Sequence, residues 1–146
     1  MTIFQKVLVL KERKRGFHLI TTEILNAIPQ LSEIKTGMCQ VFIRHTSASL
    51  TVNENADPTV RTDFETYFNK AVYENDADYL HDYEGADDMP AHLKSSILGC
   101  SVLFPVTNGR PALGTWQGIY LCEHRDQGGA RSLIISVWGE TIKPPL

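Results

Sequence analysis

The longest apolar runs in this chain, such as those around Ser132 to Trp138, fall far short of the roughly 20 residues needed to span a bilayer. The N-terminus MTIFQKVLVL has a short apolar run but neither a basic leader nor a small-residue cleavage site, so the chain reads as cytoplasmic. Cysteine is scarce: three residues, no CxxC pair, each among apolar neighbours. That pattern argues against a disulfide framework or a thiolate nucleophile and for Cys39, Cys100 and Cys122 as buried reduced thiols. Charge of one sign is also missing. Fourteen basic residues against 17 acidic ones leave −3, no field to draw nucleic acid or an anionic membrane. The only basic run, Lys11 to Arg15, reads as a solvated turn. There is no Walker loop, no GxGxxG, no GxSxG and no HExxH, which removes the commonest nucleotide, dinucleotide, serine-hydrolase and metalloprotease signatures.

At 146 residues the chain fits one domain spanning 1–146. Residues 3–10 and 16–21 read as strands joined by the basic turn, and 22–28 as a short helix capped by Thr21 or Thr22. A strand over 38–44 delivers His45 at its end, and extended structure resumes at 50–53. Asp57-Pro58 is a helix start, with an N-cap acceptor before proline. Val60, Phe64, Phe68 and Val72 then place one apolar stripe on a helix over 58–72. Residues 73–88 form a long polar loop, and a second helix starts at Met89 or Pro90 with Asp88 as its cap, ending at Gly99. Strands follow at 101–106, 113–123 and 132–138, the first turning at Asn108-Gly109. The spacing predicts an α+β fold, an antiparallel sheet or sandwich core with two principal helices. Gly114 and Gly118 bracket Trp116. Either another backbone approaches there and the indole anchors it, or Trp116 fills the subunit's own core.

What the chain does have is an unusual density of ionisable groups between His81 and Ser96: two histidines, four carboxylates, a lysine and two hydroxyls. His45 opens a second polar run. His45, His81 and His92 come from three separate elements, as catalytic metal ligands commonly do, and three imidazoles suit a divalent ion, zinc first, with magnesium or manganese as alternatives. The plain alternative is a polar loop with ordinary surface hydrogen bonds. His124 is a fourth candidate and His18 reads as exposed and idle. His92, Ser95 and Ser96 share a helix face and would look into one pocket. Lys94, Arg125 and Arg131 are candidate phosphate-binding cations, or else surface ion pairs. Glu54, Asp57, Glu84 and Asp88 are candidate bases, of which Asp57 and Asp88 already serve as caps.

The segments HTSASLTVNENADP, HDYEGADDMPAHLKSSILG and NGRPALGTWQGIYLCEHR closely resemble the YjbQ-like family, also called secondary thiamine-phosphate synthase enzymes; the resemblance covers about residues 5–140. It implies a small α+β protein that assembles as a homotrimer. It also implies an enzyme of a phosphorylated small molecule, joining an aminopyrimidine methyl pyrophosphate to a thiazole phosphate with loss of pyrophosphate. The matching motifs carry over His45, His81 and His92 as site residues, all three as metal ligands with His45 and His92 also catalytic; the residues themselves add Glu84 as a catalytic base and Lys94, Ser95, Ser96 and Arg125 as substrate contacts. His124 is outside the pattern, since many relatives carry another residue after the matching glutamate. Metal-assisted phosphoester hydrolysis and a non-catalytic trimer that binds a small anion are the competing readings.

Overall fold

Tyr120 and Cys122 have no solvent exposure, and neither do Ile119 and Leu121, which point the opposite way along the same strand. A strand buried on both faces must lie in the middle layer of a three-layer stack. In the computed structural model, which describes residues 1–143, that strand is β7. The order is β1 (Thr2–Leu10), β2 (Gly16–Leu19), α1 (Thr21–Ala27), a 3-10 turn (Pro29–Glu33), β3 (Ile34–Ile43), β4 (Ala48–Glu54), α2 (Pro58–Ala71), α3 (Asp88–Leu98), β5 (Ser101–Thr107), β6 (Arg110–Pro111), β7 (Gln117–Glu123) and β8 (Arg131–Thr141). Five strands form an antiparallel sheet in the order β1-β8-β3-β5-β6, and three form a second in the order β2-β7-β4. Ile135, Val41 and Val102 from the first sheet meet Leu121 and Leu50 from the second in one apolar core. The fold is therefore a single-domain α+β sandwich, as its alternating strands predict.

The second sheet carries α2 and α3 on its far side. Phe64 and Phe68, half of the predicted stripe on α2, pack on Phe17 of β2 at ring-centroid distances of 5.2 and 5.9 Å. This satellite cluster includes Tyr120 and Cys122. Asp57 caps α2 as expected, accepting the Thr59 backbone N–H at 2.9 Å.

Several local expectations fail for identifiable reasons. β1 and β2 belong to different sheets, so the basic run crosses between them and is not solvated throughout; Arg15 folds beneath α2, paired with Glu65 and Glu74. The residue preceding α1 is Ile20, and the Thr21 hydroxyl instead accepts the Ile119 N–H at 2.9 Å. Residues 114–117 make a turn rather than the start of β7, closed by Gln117 N–H on the Gly114 carbonyl at 3.0 Å. A Cβ on Gly118 would lie 2.7 Å from Leu19 Cδ2, so its own chain makes the close approach. Trp116 is 66% exposed and fills no core. Cys39 and Cys122 are buried and their thiols pushed up to about 12 by that burial, but Cys100 is exposed.

Candidate functional site

Four residues apart on α3, Asp88 and His92 project from one face, because 3.6 residues make a turn. The loop between α2 and α3 returns His81 to the same spot. His81 Nε2 lies 2.7 Å from Asp88 Oδ2, and His92 Nε2 lies 3.2 Å from the same oxygen. His81, Asp88 and His92 offer three ligand atoms within 4.8 Å of one another. Asp88 is thus no helix cap: its carboxylate is 2% exposed and serves as the hub of the site, while Asp87 takes the cap position. Burial alone would raise the Asp88 carboxyl. The His81 hydrogen bond and the His92 and Arg125 charges more than reverse that, holding it below the ordinary carboxylate range.

The run from His45 to Ser49 braces this site with one bond per residue. Ser132 N–H donates to His45 Nε2 at 2.8 Å, and the Thr46 carbonyl accepts from His92 Nδ1 at 2.9 Å. The Ser47 carbonyl accepts from Arg131 at 3.2 Å and the Ala48 carbonyl from the Ser95 hydroxyl at 2.6 Å. Ser49 Oγ lies 2.8 Å from His124 Nε2. Since a carbonyl can only accept, His92 carries a hydrogen on Nδ1, and its Nε2 faces an anionic oxygen. That contact is unfavourable unless a second proton or a cation sits between them. Imidazole donating one nitrogen to a carbonyl while aiming the other at a metal is the usual second-sphere arrangement. Two imidazoles and a carboxylate also match the donor set of open zinc sites. The residues fit a divalent ion.

His45 is not the third member of this group. It lines a cleft of about 350 Å³ together with Thr46, His92, Ser95, Ser96, Gly99 and Cys100, so the expected pocket behind His92 and the two serines exists. Yet its Nε2 is spent on a backbone amide. Burial, then the Arg131 charge, lower its pKa from 6.5. A second cavity, about 320 Å³, opens on the other side of His81 and is lined by Asp76, Tyr79 and Asp82. The Glu84 carboxylate is half exposed and lies 4.0 Å from His81 Nε2.

The predicted cations are committed elsewhere. Arg125 donates to Asp87 Oδ2 at 3.0 Å, Asp88 Oδ1 at 2.6 Å and the Glu84 carbonyl at 3.0 Å; it clamps the loop to α3 instead of facing the cleft. Lys94 is 1% exposed, on the other side of α3, and donates to Asn69 Oδ1 at 2.8 Å; burial and the Arg15 charge push its pKa down. Arg131 forms a buried pair with Glu123 at 2.5 Å. A Cβ on Gly128 would collide with that pair, 2.3 Å from Glu123 Oε1. His124 is buried outside the site, its pKa lowered to about 3 by burial and by the Lys94, Arg131 and Arg15 charges. Glu54 accepts the Ala56 and Asp57 backbone amides and His18 bonds the Lys14 carbonyl. The residue whose role the sequence concealed is Asp88. Its signal was the Asp-x-x-x-His spacing, which a cap assignment masks.

Residues 5–140 match the model of the family described as UPF0047 protein YjbQ-like. The chain is 56% identical over 137 residues to UPF0047 protein YjbQ of Salmonella typhimurium, covering 94% of this chain and 99% of that one. It is 39% identical over 134 residues to UPF0047 protein YugU of Bacillus subtilis, covering 92% and 98%. An uncharacterized conserved protein of the yjbq/upf0047 family from Clostridium acetobutylicum superposes with a TM-score of 0.80 at 35% identity, over 90% of this chain and 98% of that one. A YbjQ-like protein of unknown function from Sulfolobus solfataricus P2 shares the fold at TM-score 0.84 and 24% identity, over 95% and 99%. By the matched family model and these relatives, the chain belongs to the YjbQ-like UPF0047 family.

Proposed function

We propose that this protein is a cytoplasmic, divalent-metal-dependent enzyme acting on a small phosphorylated molecule. The observation that carries this reading is the convergence of His81 Nε2, His92 Nε2 and Asp88 Oδ2, with the second nitrogen of His92 already bonded to the Thr46 carbonyl. In this reading those three residues hold the ion, zinc before manganese or magnesium. When bound, the ion would supply charge stabilisation at a phosphoryl oxygen and at the departing group. Arg125 holds Asp88 in register by fixing Oδ1, which leaves Oδ2 to the two histidines. Glu84, half exposed beside His81, would take a proton from a substrate or water. Ser96 and His45 face the substrate from the cleft.

The reaction suggested by the resemblance is formation of thiamine phosphate from the pyrimidine pyrophosphate and the thiazole phosphate. A second reading, metal-assisted hydrolysis of a phosphoester, is favoured by one observation: among the described residues no lysine or arginine lines the cleft, so little besides the ion would stabilise a departing pyrophosphate. The assembly in this reading is a homotrimer.

Zinc content of gently purified protein, with turnover assayed on both substrate sets, tests the proposal. About one zinc per chain is expected, and Asp88→Asn and His92→Ala should lose both the metal and most of the turnover while remaining folded. Product from the coupled pair supports the synthase reading, and inorganic phosphate from a simple ester supports the hydrolase. Turnover that survives chelation and His92→Ala would sink the metal reading. Anion binding without turnover would leave a non-catalytic binding protein.

A further inference from the structure

The two histidines that line the cleft bond the backbone in opposite senses, one as donor and one as acceptor. His92 bonds a carbonyl, so its Nδ1 is protonated and its Nε2 is turned to the Asp88 carboxylate. His45 bonds the Ser132 amide, which can only donate, so its Nε2 is the accepting nitrogen and its hydrogen lies on Nδ1. The fold dictates this bond. Where β3 ends at Ile43 the chain leaves the sheet, and Ser132 of β8 loses its full backbone partner. Its carbonyl still accepts the Arg44 N–H at 3.1 Å, and the His45 ring supplies the missing acceptor for its N–H. Imidazole thus completes a ladder that the backbone cannot.

Consequences for the ring are strict. A metal on Nε2, or a second proton there, would orphan a backbone donor, which costs more than an average hydrogen bond returns. Among the described residues, Nδ1–H of His45 has no protein partner, and His45 lines the cleft beside His92 and Ser96. Ser95 shares that lining, but its hydroxyl is spent on the Ala48 carbonyl. Among the described residues, no lysine, arginine or carboxylate lines the cleft to compete for a substrate oxygen.

We propose that His45 is a neutral hydrogen-bond donor whose Nδ1–H takes a phosphoryl oxygen of the substrate beside the His81–Asp88–His92 centre. The assignment rests on the reading of that centre as the reaction site, and it replaces the role of His45 as a metal ligand. A preorganised neutral donor suits an oxygen on which charge grows, because nothing must reorient or give up a proton as the reaction proceeds.

The position of the hydrogen is measurable on the unmodified protein. Long-range proton–nitrogen spectra of histidine-labelled protein, metal-free and zinc-loaded, are expected to show His45 neutral with its hydrogen on Nδ1. Inorganic phosphate, used as the probe, is expected to shift that Nδ1–H signal. In zinc-loaded protein, His45→Phe should weaken phosphate binding about tenfold, the worth of one good hydrogen bond. His45→Asn, whose amide can donate from near the Nδ1 position, should recover most of it. Zinc affinity should be the same in all three. A hydrogen on Nε2, a doubly protonated ring at neutral pH, zinc loss in His45→Phe, or unchanged phosphate binding would each overturn the proposal. Wild-type protein that takes no zinc would overturn the metal reading, and the spectrum of His45 would still be read by itself.

Discussion

At the scale of single residues, the site is built from side chains that restrain one another more than from side chains that face solvent. Arg125 is the clearest case. It makes three bonds from one planar group to two carboxylates and a carbonyl, a geometry that an ammonium cannot reproduce. Arg125→Lys should therefore keep the charge and lose the clamp. Zinc affinity, measured by competition with a chelator, is expected to fall about 10–100-fold with the melting temperature nearly unchanged. Retained affinity in the lysine variant would show that charge alone matters. His124 yields a prediction about pH. Its folded-state pKa of about 3 lies below the unfolded value of 6.5, so only the unfolded chain takes up a proton between those values. Stability should fall as pH drops through that window, by about 2 kcal/mol between about pH 7 and pH 5 for one such group. Denaturant titrations of wild type and His124→Gln check this: the variant should lose distinctly less over the same interval.

Among the elements, α3 and the loop before it form one working unit. α3 brings Asp88 and His92 to the site on one face and buries Lys94 on another, while Ser95 ties it to the start of β4. The loop after α2 delivers His81, yet side chains such as Leu80, 96% exposed, and Tyr83, 78% exposed, give it little apolar anchorage. Its attachment is polar, through Asp88 and Arg125. A metal bridging His81 to α3 would add a further tie. Limited proteolysis should accordingly cut between residues 73 and 87 of metal-free protein, and saturating zinc should slow that cleavage several-fold. Equal cleavage with and without zinc, in protein shown to bind it, would mean that His81 contributes nothing to the site.

For the whole molecule, the five-stranded sheet has one face on the core and, among the described residues, one uncovered face on which two apolar rows flank a row of Gln5, Ser136, Gln40 and Leu103. Register places Ile3, Trp138, Met38 and Pro105 in one row across β1, β8, β3 and β5, and Val7, Ile134 and Phe42 in another. Ile3 and Val7 are 65% and 55% exposed. A patch of this kind suits a contact between copies better than open water. It is a better candidate for the proposed trimer interface than the surroundings of Trp116, where Gly118 is explained by its own subunit. Val7→Lys combined with Leu103→Lys should lower the mass seen in sedimentation from three chains to one, while the subunit stays folded. A wild-type monomer would remove the trimer from the account.

Much of this protein was legible in its residues because the relevant physics is local. Strand alternation, the Asp57-Pro58 start of α2, the Asn-Gly turn and the serine face of α3 depend only on neighbours within a few positions, and the structure shows each of them. Roles set by long-range pairing were not legible. Arg15, Lys94 and Arg125 look alike in sequence, but one is folded under α2, one is buried against Asn69 and one clamps a loop. Asp88 read as a cap because capping is a local bond, whereas its partners lie four, seven and 37 residues away. His45 read as a ligand because only tertiary structure places the Ser132 amide, 87 residues distant, against its ring. The sequence supplied the ionisable groups and the elements that carry them. Which nitrogen is free, and which charge is already neutralised, was decided by hydrogen bonds between segments that meet only when the chain folds.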